Sequence, residues 1–237
     1  MKLVTFYSDS HIKLYELFLE SFNKFLSKKY TLLPKKIDQV SPTGVYNSKG
    51  FDVAMVEKLN WIIENINISD NQPMIFSDCD VQFFGDLIFD MKDNDILFQH
   101  DYHEFFDLSW YPDGNNGKGI YPNYCAGFFI CKQNVKILNF FIDVRKKLLE
   151  NLNGTLHDQT VLNKMLNDGY DIKHDKLNPN QYWTVGFSTQ GVVWDGQPIK
   201  TPKDIIVHHA NFTVGIQNKL NLLKLVKQQK LLKWDMV

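Results

Sequence analysis

Two spacings of apolar residues alternate along the chain. The opening run Leu3-Val4-Thr5-Phe6-Tyr7 reads as a strand, stopped by Ser8-Asp9-Ser10. From His11 to Leu26, residues Leu14, Leu17, Phe18, Phe22, Phe25 and Leu26 fall at helical spacing with polar residues opposite. Tyr30–Val40 reads as a strand interrupted by Pro34. Ser48–Asn65 reads as a helix whose apolar face carries Met55, Leu59, Ile62 and Ile63 and runs on to Ile66. Pro73–Phe76, Ile96–Gln99 and Ala126–Cys131 are short apolar runs between polar residues, the pattern of buried strands. Gln133–Leu152 and His157–Leu166 read as amphipathic helices, Ile205–His209 as a late buried strand, and Asn218–Trp234 as a basic closing helix. This alternation predicts an α/β fold: one domain over 1–237, with a mostly parallel central sheet flanked by helices. The Asp101–Tyr124 and Asn178–Thr201 segments lack either period, and long irregular segments of this kind are usually working loops.

Composition narrows the function. Hydrophobic residues make up 44% and charged residues 22% of the 237, which excludes a disordered chain, a collagen and a coiled coil. Basic and acidic residues number 26 and 27, for a net charge of −1, which disfavours DNA or RNA as the main partner, because a nucleic-acid binder that works by neutralising phosphates is normally far more basic. Cys79, Cys125 and Cys131 are sparse and show no CxxC spacing, which predicts a reducing compartment and no thiolate zinc site. Nothing approaches the roughly 18 consecutive apolar residues of a membrane span, and the expected location is the cytoplasm. Lys224, Lys227, Lys230 and Lys233 leave two readings open, a solvated face or weak contact with an anionic membrane surface. Arg145 is the only arginine, so recognition of phosphate here falls to lysine, metal or backbone N–H groups.

Two strand ends carry the candidate chemistry. After Pro73–Phe76 come Ser77, Asp78, Cys79 and Asp80. In an open α/β sheet ligands bind beyond the carboxyl ends of strands, and in extended chain residues i and i+2 point the same way. Two hard carboxylates facing one cleft suit Mg²⁺ or Mn²⁺ bridging to substrate phosphates. Solvated turn residues are the competing reading. The late strand ends in His208 and His209, followed by Asn211, Gly215 and Lys219. One imidazole can complete the coordination, Gly215 allows close backbone approach to phosphate, and Lys219 neutralises its charge. A hydrogen-bonded core histidine and a surface lysine are the alternative.

These blocks together resemble a nucleotide-diphospho-sugar transferase of the GT-A fold, the glycosyltransferases with a DxD motif. The DxD is Asp78-Cys79-Asp80, and His209-Ala210-Asn211 with Gly215 and Lys219 is the closing segment. Ala126-Gly127-Phe128-Phe129 resembles the GFF strand, with Cys125 where the family often has asparagine, and His157-Asp158-Gln159 through Asn163 resembles the DQxxxN helix. Tyr46-Asn47-Ser48-Lys49-Gly50-Phe51 followed by Lys58 resembles the lead-in to the DxD strand.

The resemblance implies transfer of a sugar from a nucleotide-diphospho-sugar, UDP-sugar first, to a glycan or other hydroxyl acceptor. It implies a Rossmann-like nucleotide-binding half over about 1–100, an acceptor and closing half over about 101–219, and a helix over 218–237. Asp78, Asp80 and His209 would hold Mn²⁺ or Mg²⁺, with His208 as the alternate. Asp78, Lys58, Asn211 and Gly215 would contact the donor, and Asp158, Gln159 and Lys219 would serve the reaction. For Asp158 a helix-capping role stands equally open. Asp101, His103 and Glu104 are candidates for acceptor binding or a general base, against a solvated loop. Trp110, Trp183 and Trp194 are candidates for stacking on an acceptor sugar, against ordinary packing. A nucleotidyltransferase or phosphohydrolase using the same acidic site, or a non-catalytic nucleotide-sugar-binding domain, remain as alternatives.

Overall fold

The apolar runs pair much as their pattern requires. In the computed structural model, which describes residues 1–41, 43, 45, 48–102, 123–152 and 156–234, the chain opens with β1 (Lys2–Tyr7) and α1 (Ile12–Phe25). β2 (Thr31–Lys36), α2 (Phe51–Asn65), β3 (Met74–Ser77), β4 (Val81–Phe83) and β5 (Ile96–His100) follow. Then come β6 (Tyr124–Cys131), α3 (Val135–Leu149), α4 (Asp158–Asn167), β7 (His174–Lys176) and β8 (Tyr182–Thr184). The chain ends in α5 (Gly186–Thr189), β9 (Val207–His209) and α6 (Ile216–Trp234).

Six strands form one sheet in the order β2-β1-β3-β6-β5-β7, in which β6 alone runs against its neighbours. β3, β5 and β6 are buried along their whole length, which is why they read as continuous apolar runs instead of alternating ones. Alternate residues of the strands serve opposite layers. Leu3, Ile75, Leu97 and Ile130 pack with Phe18 and Phe22 of α1 and Leu222, Leu223 and Val226 of α6. Val4, Phe76, Phe98 and Phe129 pack with Leu59 and Ile62 of α2, Phe140 and Phe141 of α3, and Val161 of α4. Pro34 lies in β2, the edge strand, where a missing N–H is tolerated. Asn134 caps α3, its Oδ1 accepting the Ile137 N–H at 2.9 Å.

A second sheet, β4-β9-β8, pairs β4 antiparallel and β8 parallel to β9 and lies in the α1/α6 layer. Its strands β4 and β8, together with β7 and α5, are three or four residues long. The Asn178–Thr201 segment, irregular by pattern, contains two of them. Within the main sheet the register breaks once. Phe98 faces Phe129 but Gln99 faces Cys125, so Ala126, Gly127 and Phe128 have no opposite number on β5. Such bulges re-aim side chains, and this one opens at the acidic turn.

Candidate active site

β3 ends at Ser77, and the Asp78 N–H donates to the Gly127 carbonyl at 2.7 Å. Two residues on, the Ala210 N–H donates to the Asp80 carbonyl at 3.0 Å. The acidic turn is thereby clamped between the β6 bulge and the chain leaving β9. Antiparallel pairing sets Val81 opposite His209, which carries that imidazole to Asp80. Donor atoms of Asp78, Asp80 and His209 lie within 4.8 Å of one another, at a cleft of about 450 Å³ that also takes in His11, Lys58 and Lys219.

Charges in the cluster balance. Asp80 receives Lys219 Nζ at 2.5 Å and His209 Nε2 at 3.2 Å. Burial would raise its pKa, but Lys219 and His209 overcome this and hold Asp80 well below the usual carboxylate range. For His209 burial opposes the charged form and Asp80 more than restores it, so its pKa stands well above the ordinary value. Lys58 is buried and bridges Asp158 at 2.8 Å and Asp78 at 3.3 Å. Burial disfavours its charge; Asp158 and then Asp78 outweigh that and raise its pKa. Asp158 is lowered despite burial, chiefly by Lys58. Asp78 differs. Burial dominates there and pushes its pKa up, with Lys58 opposing and Asp80 adding to the rise.

Asp78 is thus the carboxylate with the least counter-charge, and its buried Oδ1 has no hydrogen-bond donor, only the Lys58 ammonium. That oxygen is the atom with room for a cation, and two carboxylates and an imidazole are donors that Mg²⁺ and Mn²⁺ accept. Gly127 leaves the room: a Cβ there would lie 2.6 Å from Asp78 Oδ2 and 2.3 Å from His209 Cε1.

Beside this cluster lies an amide–carboxylate chain. Gln159 Nε2 donates to Asp101 Oδ2 at 2.8 Å, and Asn211 Nδ2 donates to Asp101 Oδ1 at 2.7 Å. Gln159 Oε1 accepts the Ala126 N–H of the bulge at 3.2 Å. Asn163, one turn further along α4, accepts the Tyr124 N–H at 2.8 Å and ties the helix to β6. A buried carboxylate with both oxygens engaged, flanked by amides at a cleft wall, is suited to reading sugar hydroxyls.

A family of nucleotide-diphospho-sugar transferases has a model that matches residues 19–223. The chain belongs to this family. It is a glycosyltransferase, and its fold is GT-A. Among solved structures it is similar to the galactosyltransferase LgtC in complex with donor and acceptor sugar analogs, at 12% identity and a TM-score of 0.53 over 89% of this chain and 87% of that one. It is also similar to a glycosyltransferase involved in glycosylation of the major capsid of PBCV-1, at 13% identity and a TM-score of 0.63 over 94% and 98% of the two chains. A third is an active-site mutant of LgtC with glutamate in place of a glutamine, at 13% identity and a TM-score of 0.53 over 89% and 87%. No protein of curated function matches.

In this transferase the sequence candidates divide. Asp78, Asp80, Lys58, Asp158, Gln159, His209, Asn211 and Lys219 all line the one cleft. Asp158 is the first residue of α4, and its carboxylate pairs with Lys58. Gly215 adopts φ +87° at the start of α6, with nothing within 4 Å of where a Cβ would stand. His208 points the other way from His209. It is fully buried against Trp183, with ring centroids 5.2 Å apart, and burial pulls its pKa down to about 3. Trp183 and Trp194 are buried, which assigns them to packing. His103, Glu104, Trp110, Tyr46 and Asn47 lie outside the described residues.

Sequence reasoning left Asp101 as one member of a loop cluster and did not single out Gln99. Lys58 did carry a signal of its own: with Met55, Leu59 and Ile62 it falls on the buried stripe of α2, where a lysine needs a carboxylate partner. Among the described residues no helix is long and apolar enough to cross a membrane. Of the α6 lysines, Lys227 pairs with Glu20 at 2.6 Å and Lys230 donates to the Lys203 carbonyl at 2.6 Å.

Proposed function

We propose that this glycosyltransferase is metal-dependent and takes its sugar from a UDP-sugar, delivering it to a hydroxyl of a glycan or similar acceptor. The observation that carries the reading is the convergence of Asp78, Asp80 and His209 donor atoms within 4.8 Å, with Lys219 on the same carboxylate. Asp78, Asp80 and His209 would hold Mn²⁺ or Mg²⁺, which when bound stabilises the negative charge that develops on the leaving diphosphate.

The chain's own groups do the rest. Lys219 sits on the α6 side of the cleft, and once Asp80 is otherwise neutralised its ammonium is free to turn to a diphosphate oxygen. Lys58 favours the charged form of Asp158 and opposes the burial that raises Asp78. Gln159 is held at both ends of its amide, by Asp101 and by Ala126, so it meets the donor sugar in one orientation. The LgtC mutant places a glutamine in that enzyme's active site, which supports assigning Gln159 to the reacting face here. Asn211, Asp101 and the backbone at Gly215 would line the passage between sugar and diphosphate.

Calorimetry with UDP, with and without Mn²⁺, tests this directly. Wild-type protein should bind UDP only when Mn²⁺ or Mg²⁺ is present, and Asp80→Asn, which keeps the shape and removes the charge, should lose that binding while melting as a folded protein. Tight UDP binding without metal, or normal metal-dependent binding in Asp80→Asn, would overturn the site. A preference for GDP would overturn the base assignment.

A further inference from the structure

His209 has two ring nitrogens in different surroundings. Nε2 faces Asp80 at 3.2 Å, whereas Nδ1 faces Gln99 Oε1 at 3.1 Å and Cys125 Sγ at 3.4 Å. Gln99 is wholly buried, and the break in register between β5 and β6 is what sets it opposite Cys125 and beneath the imidazole. The other end of its amide donates from Nε2 to the Trp183 carbonyl at 3.3 Å. A carbonyl only accepts. The amide therefore has one workable orientation, because the reversed one would set oxygen against oxygen at Trp183. Its oxygen is left facing Nδ1. Nε2 faces an acceptor too, the Asp80 carboxylate, so a cation that takes up Asp80 displaces the proton on Nε2, while the Gln99 oxygen retains the one on Nδ1. The Cys125 thiol makes no such choice, since sulfur can donate or accept weakly.

We propose that Gln99 is a positioning residue for the cation site: its Oε1 holds His209 with the proton on Nδ1, presenting Nε2 and its lone pair to the ion shared with Asp78 and Asp80. The proposal rests on the metal-dependent reading above. Ligating imidazoles are commonly fixed in this way by an acceptor on the far nitrogen, and loss of that partner typically costs about 10–100-fold in metal affinity.

Two variants separate orientation from packing. Gln99→Leu removes the acceptor at similar volume; Gln99→Glu keeps an oxygen in place and supplies the carboxylate found in many such pairs. Mn²⁺ uptake by the full chain with UDP is read from the paramagnetic resonance of free Mn²⁺, and melting temperature is read in parallel. Two-bond ¹H–¹⁵N spectra of the Mg²⁺-loaded protein report which nitrogen of His209 carries the proton. Gln99→Leu should weaken Mn²⁺ binding about 10–100-fold, Gln99→Glu should bind close to wild type, and the wild-type spectrum should show Nδ1–H. A purely structural Gln99 would lower both melting temperatures and leave both affinities alone. Wild-type affinity in Gln99→Leu, equal weakness in both variants, or Nε2–H in the wild-type spectrum would each overturn the proposal. Where Gln99→Leu does not fold, Gln99→Met takes its place as the variant without an amide oxygen and is read in the same way. A wild type that takes up no Mn²⁺ would instead overturn the metal site itself.

Discussion

Gly127 offers the sharpest test of the cleft's geometry. Its φ is not in the left-handed region, so alanine is compatible with the backbone and the whole effect of Gly127→Ala comes from one methyl group. That methyl would stand 2.3 Å from His209 Cε1, 2.6 Å from Asp78 Oδ2 and 3.0 Å from His209 Nε2, against 3.4 Å or more for ordinary contact. The imidazole must therefore retreat by about 1.1 Å, yet Gln99 and Cys125 occupy its far side and Lys58 holds Asp78. Overpacking of this kind costs about 1–3 kcal/mol, which for a domain of this size lowers the melting temperature by roughly 2–12 °C. A 1 Å displacement of groups at a reacting centre costs on the order of 100-fold in rate. Scanning fluorimetry, Mn²⁺-dependent UDP affinity and donor hydrolysis read the three quantities. In the background of His209→Ala the added methyl should cost less than it does alone, because its closest contact is gone. Gly127→Ala with wild-type melting temperature and wild-type turnover would refute the account.

Three further outcomes are expected. Lys58→Met leaves the buried Asp158 and the partly buried Asp78 without their shared cation and should cost about 3–5 kcal/mol in urea unfolding, part of it recovered by adding Asp158→Asn; an unchanged midpoint would show the bridge to be idle. His208→Phe keeps a ring against Trp183 and removes two buried ring nitrogens that have no hydrogen-bond partner among the described residues, so stability should hold or rise and metal-dependent UDP binding should stay normal; lost binding would return His208 to the site. Asn134→Ala removes the cap of α3 and should cost about 1 kcal/mol with no change in donor affinity, measured by thermal melting and calorimetry.

The strands of the main sheet with continuous apolar runs, and the helices with one apolar stripe, are readable in the sequence because burial on two faces or one leaves those two signatures. β4, β7, β8 and α5 are not, since three or four residues hold too little of either period. β4 is the costly omission: its pairing with β9 decides that His209 and not His208 reaches Asp80. The bulge of β6 is equally silent, because Ala126, Gly127 and Phe128 are small or apolar and look like any buried strand. Asp101 after an apolar run looks like a solvated turn residue, and only the arrival of Gln159 and Asn211, 58 and 110 positions later, makes it a buried acceptor. The acidic pair and the closing His-Ala-Asn segment were legible by residue type, and their meeting depended on register.

The small sheet has a consequence for how the protein lives and dies. Its strands β4, β9 and β8 have three residues each, so few ladder bonds hold the last third of the chain on the first, while the contact between Lys219 and Asp80 spans 139 positions. A ligand seated between these segments acts as a staple across a very large loop. At a hundred times its dissociation constant it contributes about 2.7 kcal/mol against opening, enough to slow amide exchange at 81–83 and 207–209 on the order of 100-fold. Limited proteolysis is expected to slow in the same proportion when the donor is added, and an unchanged cleavage rate would show that the two segments do not open together.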